Sequence, residues 1–268
     1  MSDKIPAMAW SPLATQFCLE LAFGVLLFLA LMPRAPMGVF FWRMMGVTAL
    51  VPLLAAGVMS ALYGELAWGD PLVLASLAPC LGFPLFAGSG KAERRLLGLG
   101  WALAACAVAL WFAVGNASAL EGPGLMALGT VSALATGAVA GGVGTAMVVG
   151  HWYLTVPQLP VSLLRRINGA TLVAMAVSAV LVATLLGIHL DALERADTPI
   201  FSPFGLFHLG ARLAVGLFLP LLFGWMTKGS LRYENTRSAT GILYASTVLV
   251  LMGAAASLSL QDTYGIPL

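Results

Sequence analysis

The sequence predicts an all-α fold, a polytopic membrane helix bundle of eight transmembrane helices whose two termini lie outside, on the periplasmic side. Composition supports the membrane assignment. Of the 268 residues, 60% are apolar and only 9% are charged, whereas about a quarter of an ordinary soluble domain is charged. The arrangement supports the helix count and the orientation, because long apolar runs alternate with short segments of opposite charge.

Eight apolar runs are each long enough for a helix that crosses the hydrocarbon core, which needs about 20 residues. The runs are continuous, whereas strands of a membrane barrel alternate apolar with polar residues. The connections leave no room for a soluble domain, so residues 1–268 are predicted to form a single integral membrane domain. The predicted spans are approximately 14–33, 38–62, 71–88, 96–116, 124–150, 168–189, 204–226 and 238–259.

The segments between these runs alternate in charge, and this alternation sets the orientation. Basic residues near helix ends resist translocation and stay in the cytoplasm. The basic set is therefore predicted to face the cytoplasm of a bacterium, with the protein in its inner membrane. The basic set is Arg34, Lys91, Arg94, Arg95, Arg165, Arg166, Lys228, Arg232 and Arg237. The opposite set is Asp3, Glu65, Asp70, Glu121, Asp191, Glu194, Asp197 and Asp262, with only Lys4 and Arg195 against it.

The fifth span carries a small residue at every fourth position. Residues four apart share one helix face, and a face of small residues lets two helix backbones approach closely. We predict that this span is central to the bundle. Its face provides either tight packing or room for a bound ring or lipid chain. The residues are Gly129, Ala133, Gly137, Gly141 and Thr145.

Two charged residues lie well inside the predicted hydrocarbon region. Glu20 is about six residues into the first span, and Arg212 is about eight residues into the seventh, both counted from outside. At 1.5 Å per residue, both lie roughly 10 Å below the outer surface. Similar depth and opposite sign predict an intramembrane ion pair. The pair is either a structural clasp or the charged wall of a pocket or proton path.

Histidine is scarce in this chain, with three residues in all. His189 ends the sixth span and His208 begins the seventh, both at the outer side. Two histidines on adjacent antiparallel helices can ligate one b-type haem. The sequence is therefore compatible with haem b ligands at His189 and His208. The alternative is a pair of ordinary interfacial histidines.

A third group of polar residues collects at the cytoplasmic ends of several spans. His151 ends the glycine-lined fifth span, and Tyr153, Arg165 and Arg237 follow at the same face. Such side chains can hydrogen-bond a quinone carbonyl, and a histidine can also relay its proton. We therefore predict a quinone site formed by His151, Tyr153, Arg165 and Arg237. The alternative is an interfacial belt that binds lipid headgroups.

Several functional classes lack their sequence signatures. The chain has no GxxxxGK[ST] loop, no HExxH and no GxSxG, which argues against nucleotide hydrolysis and against intramembrane proteolysis. Cys18, Cys80 and Cys106 lie inside apolar runs without a CxxC or CxxCH pattern, so we expect inert thiols and no metal site. Nucleic acid is not an expected partner, because the basic residues are divided among short loops facing lipid headgroups.

These observations favour an integral membrane subunit of a bacterial respiratory or electron-transfer complex, which interacts with quinone and with haem b as a further cofactor. Any enzymatic activity would be that of a quinone-linked oxidoreductase. The expected partners are the lipid bilayer and other subunits of the complex. Two alternatives stay open. One is a small-solute permease, and the other is a non-catalytic scaffold subunit.

Overall fold

A computed structural model describes residues 11–64, 66–156 and 159–268, and every regular element in these ranges is helical. Asp3, Lys4 and Glu65 of the predicted charge pattern lie outside the described residues. Eight helices are long and apolar enough to cross a membrane, as predicted. They are α1 (Ser11–Ala30), α2 (Val39–Leu62), α3 (Pro71–Gly88), α4 (Ala92–Ala117), α5 (Pro123–Thr155), α6 (Val161–Glu194), α7 (Pro203–Arg232) and α8 (Thr236–Tyr264).

Most helices extend beyond the apolar runs that predicted them. The largest difference is in α6, which has 34 residues where 168–189 was predicted. At 1.5 Å per residue this helix is about 51 Å long, well beyond the roughly 30 Å hydrocarbon core. Its polar first and last turns continue the backbone hydrogen bonding into the headgroup and water layers. The hydropathy pattern therefore marks only the part of the helix that lies in the hydrocarbon core.

Two of the eight helices change their helical type near proline. In α3, a 3₁₀ segment at Ala78–Gly82 separates two short α-helical segments. In α7, a π-helical segment at Ala211–Phe218 precedes Pro220. Proline removes a backbone donor and crowds the preceding turn, so local 3₁₀ or π geometry accommodates it inside a membrane helix.

Helix α5 is central to the bundle, as its small-residue face predicted. The most apolar window of α5 is 72% buried, against 28% for that of α6. Helix α1 packs directly on this face. A Cβ atom built on Gly137 would lie 2.3 Å from the backbone oxygen of Glu20, and one on Gly141 would lie 2.1 Å from the carbonyl carbon of Gly24. The two backbones are therefore in contact, and the face serves tight packing at these positions.

The short connections make successive helices antiparallel, so their ends form two faces. We call the face that contains the C-terminal ends of α1, α3, α5 and α7 the basic face, because Arg34, Lys91, Arg165 and Lys228 lie there. The opposite end, with Asp70, Glu121 and Asp197, is the acidic face.

Candidate functional site

A cavity of about 840 Å³ opens at the basic face, between the end of α5 and the starts of α6 and α8. Leu154, Leu159 and Val161 contribute apolar surface to its wall. The side chains with polar groups in the wall are those of Tyr153, Glu234, Thr236, Arg237, Thr240 and Tyr244. This volume lies in the range of small-molecule sites, roughly 300–1,000 Å³.

The hydroxyl of Tyr153 makes a hydrogen bond that holds one wall of this cavity in place. Its hydroxyl donates to the backbone oxygen of Pro160 at 2.5 Å, and the side chain is only 6% exposed. Pro160 immediately precedes α6, so the bond ties the end of α5 to the start of α6. Because the hydroxyl hydrogen is engaged, Tyr153 supports the wall and does not offer a free donor.

Tyr244 connects the cavity with His151. Its hydroxyl oxygen lies 3.1 Å from Nδ1 of the exposed His151, and the two rings meet edge to face at a centroid distance of 6.4 Å. Tyr244 lies seven residues after Arg237, two turns along the same face of α8. The cavity wall thus contains a hydroxyl that is itself hydrogen-bonded to an imidazole.

The four residues predicted for a quinone site divide between two cavities. Tyr153 and Arg237 line the cavity described above, and His151 joins it through Tyr244. Arg165 instead lines a second cavity between α6 and α7. Its Nη2 and Nε donate to the backbone oxygen of Leu231 at 2.7 and 3.2 Å. The Arg165 side chain therefore points toward α7. Its direction depends on how α6 is rotated about its own axis, which the sequence alone does not reveal.

A separate polar region is buried near the acidic face, and Glu20 belongs to it. The side chain is 3% exposed. Its Oε1 accepts a hydrogen bond from Nε2 of Gln16 at 2.8 Å, while its Oε2 has no hydrogen-bond partner among the described residues. Gln16 and Gln261 also exchange two amide hydrogen bonds, of 2.9 and 2.7 Å. These bonds join α1 to α8 beside the carboxylate.

Arg212 lies in the π-helical segment of α7 and is 1% exposed. Its Nη2 donates to the hydroxyls of Thr136 and Ser178 at 2.7 and 3.2 Å. Its Nε donates to the backbone oxygen of Leu268 at 3.2 Å. Helix α5, helix α6 and the segment after α8 therefore each supply an oxygen acceptor to one buried guanidinium.

Glu20 and Arg212, the predicted intramembrane ion pair, make no hydrogen bond to each other among the described residues. Oxygens of Thr136, Ser178 and Leu268 accept hydrogen bonds from Arg212. Gln16 donates to Oε1 of Glu20. A pairing through space stays a prediction.

His189 and His208 lie near the acidic face, and among the described residues no hydrogen bond or ring contact joins them. Nδ1 of His208 lies 2.9 Å from the backbone oxygen of Phe204 in its own helix, and its ring packs on Phe204 and Phe207. Nε2 of His189 is buried without a hydrogen-bond partner among the described residues.

Comparisons of the chain with protein-family models, with curated proteins and with solved structures find no match. Its function is therefore argued from its own side chains. In the part of the chain that the structure describes, no three His, Cys, Asp or Glu side chains come together as a metal-binding group.

Several residues of these sites were not predicted. Tyr244 could have been found from its seven-residue spacing to Arg237, which places both on one face of α8. Gln16 could have been found from its position one turn before Glu20. Thr136, Ser178 and Gln261 carry no such signal, because they meet the charged residues only through long-range packing.

Proposed function

We propose that this protein is a quinone-binding integral membrane subunit of a bacterial respiratory or electron-transfer complex. The observation that carries the proposal is the Tyr244–His151 hydrogen bond at the wall of the basic-face cavity. The donors present there suit a carbonyl ligand. The Arg237 guanidinium donates hydrogen bonds, and the Tyr244 hydroxyl is free to donate when Nδ1 of His151 carries the hydrogen of the His151–Tyr244 bond. The apolar remainder of the wall suits a ring and the start of an isoprenoid chain.

A bound quinone would supply the redox chemistry, in which two electrons from a partner subunit and two protons give the quinol. The protein's own residues would position the ring and move protons. Arg237 and Tyr244 would each donate to a carbonyl oxygen. His151 is exposed, so its imidazole can exchange protons with water and pass them to the Tyr244 hydroxyl.

The proposal includes an orientation and a location. The basic face would lie in the cytoplasm and both termini would lie in the periplasm of a bacterial inner membrane, in keeping with the positive-inside rule. Protons for the quinone would then be exchanged with the cytoplasm. Other subunits would supply the electrons, and their redox centre would approach the basic face.

Haem b is a further cofactor in this proposal, with His189 and His208 as the ligands. The bond from Nδ1 of His208 to its own helix leaves Nε2 as the nitrogen for a metal, and Nε2 of His189 lacks a partner. In such sites the second ring nitrogen is usually held by a carbonyl or carboxylate. An oxidised-minus-reduced absorption spectrum of the purified complex tests this part, and loss of a b-type signal in His189→Ala or His208→Ala would support it.

The quinone site is tested by quinone retention and turnover in the gently purified complex. Tyr244→Phe removes one donor, so we expect less solvent-extractable quinone per protein. We also expect weaker binding of a short-chain quinone analogue. His151→Gln keeps a hydrogen-bonding partner for Tyr244 but cannot relay protons. We expect this variant to retain quinone while its quinol-linked turnover falls at least about tenfold.

Tyr233→Phe is the matched control, because Tyr233 is 81% exposed at the same face and does not line the cavity. This variant should bind and turn over like the wild type. The proposal is wrong if the complex with its partners neither holds nor binds quinone. It is also wrong if Tyr233→Phe and Tyr244→Phe have equal effects.

The permease alternative has one observation in its favour, the buried region around Glu20 and Arg212. Ionisable residues inside a membrane bundle usually mark an ion or substrate path, and π-helical segments such as the one that carries Arg212 often occur at functional sites. A permease would work alone in liposomes, without partners or quinone. Proton-coupled uptake that is lost in Glu20→Gln and kept in Tyr244→Phe would favour this function. A scaffold would show neither activity.

A further inference from the structure

A groove of about 780 Å³ lies between α6 and α7 at the basic face, apart from the proposed quinone cavity. Three basic side chains line it, namely Arg165 from α6 and Lys228 and Arg232 from α7. No carboxylate is among the described residues that line it. The groove therefore brings three positive charges together without a carboxylate among the described residues of its wall.

Two hydrogen bonds fix the geometry of this groove. The Arg165 guanidinium donates to the Leu231 backbone oxygen, in the last turn of α7. One turn further along α6, Nδ2 of Asn168 donates to the backbone oxygen of Gly224 at 2.9 Å. Asn168 is 3% exposed, so this second bond is buried. Helices α6 and α7 are therefore joined by hydrogen bonds at two depths. These bonds fix the backbone positions from which the charged side chains extend.

Two basic residues of α7 extend from the same face of the helix into the groove. Lys228 and Arg232 are four residues apart, so they share one face of the helix. The ammonium of Lys228 lies 5.1 Å from the ring centroid of Trp225, within the distance of a cation–π contact. Trp225 thus helps to hold Lys228 at the mouth of the groove.

Below the charged mouth the groove is apolar. Leu172 on α6 and Trp225 and Met226 on α7 lie further from the basic face than the charged residues. Trp225 is 64% exposed and Met226 is 48% exposed, so both present apolar surface on the outside of the bundle. A ligand that matches this groove has an anionic head and a hydrocarbon chain beneath it.

We propose that this groove binds an anionic phospholipid of the bilayer. The phosphate would lie among Lys228, Arg232 and the remaining donors of Arg165, and an acyl chain would follow Leu172, Trp225 and Met226. Basic pockets between membrane helices commonly hold anionic headgroups. A free phosphate would satisfy the charged mouth but would leave the apolar wall unused.

The test compares lipid binding by the full-length purified protein and two double variants. Lys228→Gln/Arg232→Gln removes two charges from the groove and leaves the Arg165 and Asn168 bonds in place. The matched control is Arg34→Gln/Arg166→Gln, which removes two charges from the same face at exposed positions outside the groove. Each protein is titrated in detergent with phosphatidylglycerol, phosphatidylcholine and inorganic phosphate, and retained lipid is counted by mass spectrometry.

We expect phosphatidylglycerol to bind the wild type and the control, and to raise their thermal unfolding midpoints above those in phosphatidylcholine. Each removed cation should weaken binding roughly fivefold, so the groove variant should bind roughly 25-fold more weakly. Equal weakening in both double variants would overturn the proposal, since it would mean unspecific attraction to the face. Equal effects of inorganic phosphate or of phosphatidylcholine would also overturn it.

Discussion

Polar side chains lie in two very different surroundings in this protein. At the basic face, His151 and Tyr244 are exposed to solvent and hydrogen-bonded to each other. In the buried region, Glu20 and Arg212 are almost fully enclosed and are satisfied mainly by neutral groups such as Gln16, Thr136 and Ser178. The first arrangement suits exchange with solvent. The second holds charge inside the bundle.

A double-mutant cycle at Glu20 and Arg212 measures whether the two charges stabilise each other through space. Removing one partner of a buried pair leaves the other charge uncompensated, which costs about 3–5 kcal/mol. We expect Glu20→Gln and Arg212→Met each to lower the free energy of unfolding by an amount of this order. The double variant should lose less than the two single losses combined, by more than about 0.5 kcal/mol.

Unfolding in detergent provides the measurement, and Glu121→Gln provides a control because Glu121 is an exposed carboxylate at the acidic face. The control should change the unfolding free energy little. Strictly additive losses at Glu20 and Arg212 would show that each charge is held only by its hydrogen-bonded neighbours.

At the scale of elements, the crossing of α1 and α5 organises the bundle. Gly24, Gly137 and Gly141 bring the two backbones into contact, and this contact sets Glu20 beside the central helix. A comparable contact joins Gly216 in the π-helical segment of α7 to Gly253 in α8, where an added Cβ would lie 2.2–2.5 Å from the other glycine. Small residues therefore position both helices that carry the buried charges.

Gly141→Ala tests the importance of the α1–α5 crossing. The new Cβ would meet the backbone of Gly24, which cannot move as a flexible side chain can. We expect the free energy of unfolding to fall by about 2 kcal/mol or more, the usual cost of overpacking. Thermal unfolding in detergent provides the measurement.

Gly144→Ala is the control on the same helix, because nothing lies within 4 Å of a Cβ built there. Alanine favours helix over glycine by up to about 1 kcal/mol, so this variant should be as stable as the wild type or slightly more stable. A loss in Gly144→Ala as large as that in Gly141→Ala would contradict the close crossing.

At the scale of the whole molecule, the separation of charge predicts the orientation. A cysteine at Gly90, in the exposed connection between α3 and α4, should resist an impermeant thiol reagent added outside intact cells. A cysteine at Asp197, in the connection between α6 and α7, should react. The half-buried Cys18 and Cys80 would first be replaced by alanine to lower the background. The reverse labelling pattern would invert the orientation and move the proposed quinone site to the periplasmic side.

The number of membrane helices and the central place of α5 could be predicted from the sequence, because both follow from the local pattern of apolar and small residues. Its limits are visible in α6, whose polar ends remain helical although hydropathy does not mark them. It also located Tyr153 and Arg237 near one another, since they belong to neighbouring helix ends at one face. The sequence also placed His151 in this group, because it too lies at a helix end on the same face.

Which side chains contact one another could be read only from the folded structure. It separated Arg165 from the other three residues, introduced Tyr244 as the contact of His151, and gave Arg212 the oxygens of Thr136 and Ser178 in place of a direct bond to Glu20. The physical reason is that a hydropathy pattern fixes how deep a residue lies but leaves the rotation of each helix open. Packing of small residues such as Gly137 and Gly141 fixes that rotation, and it depends on helices far apart in the chain.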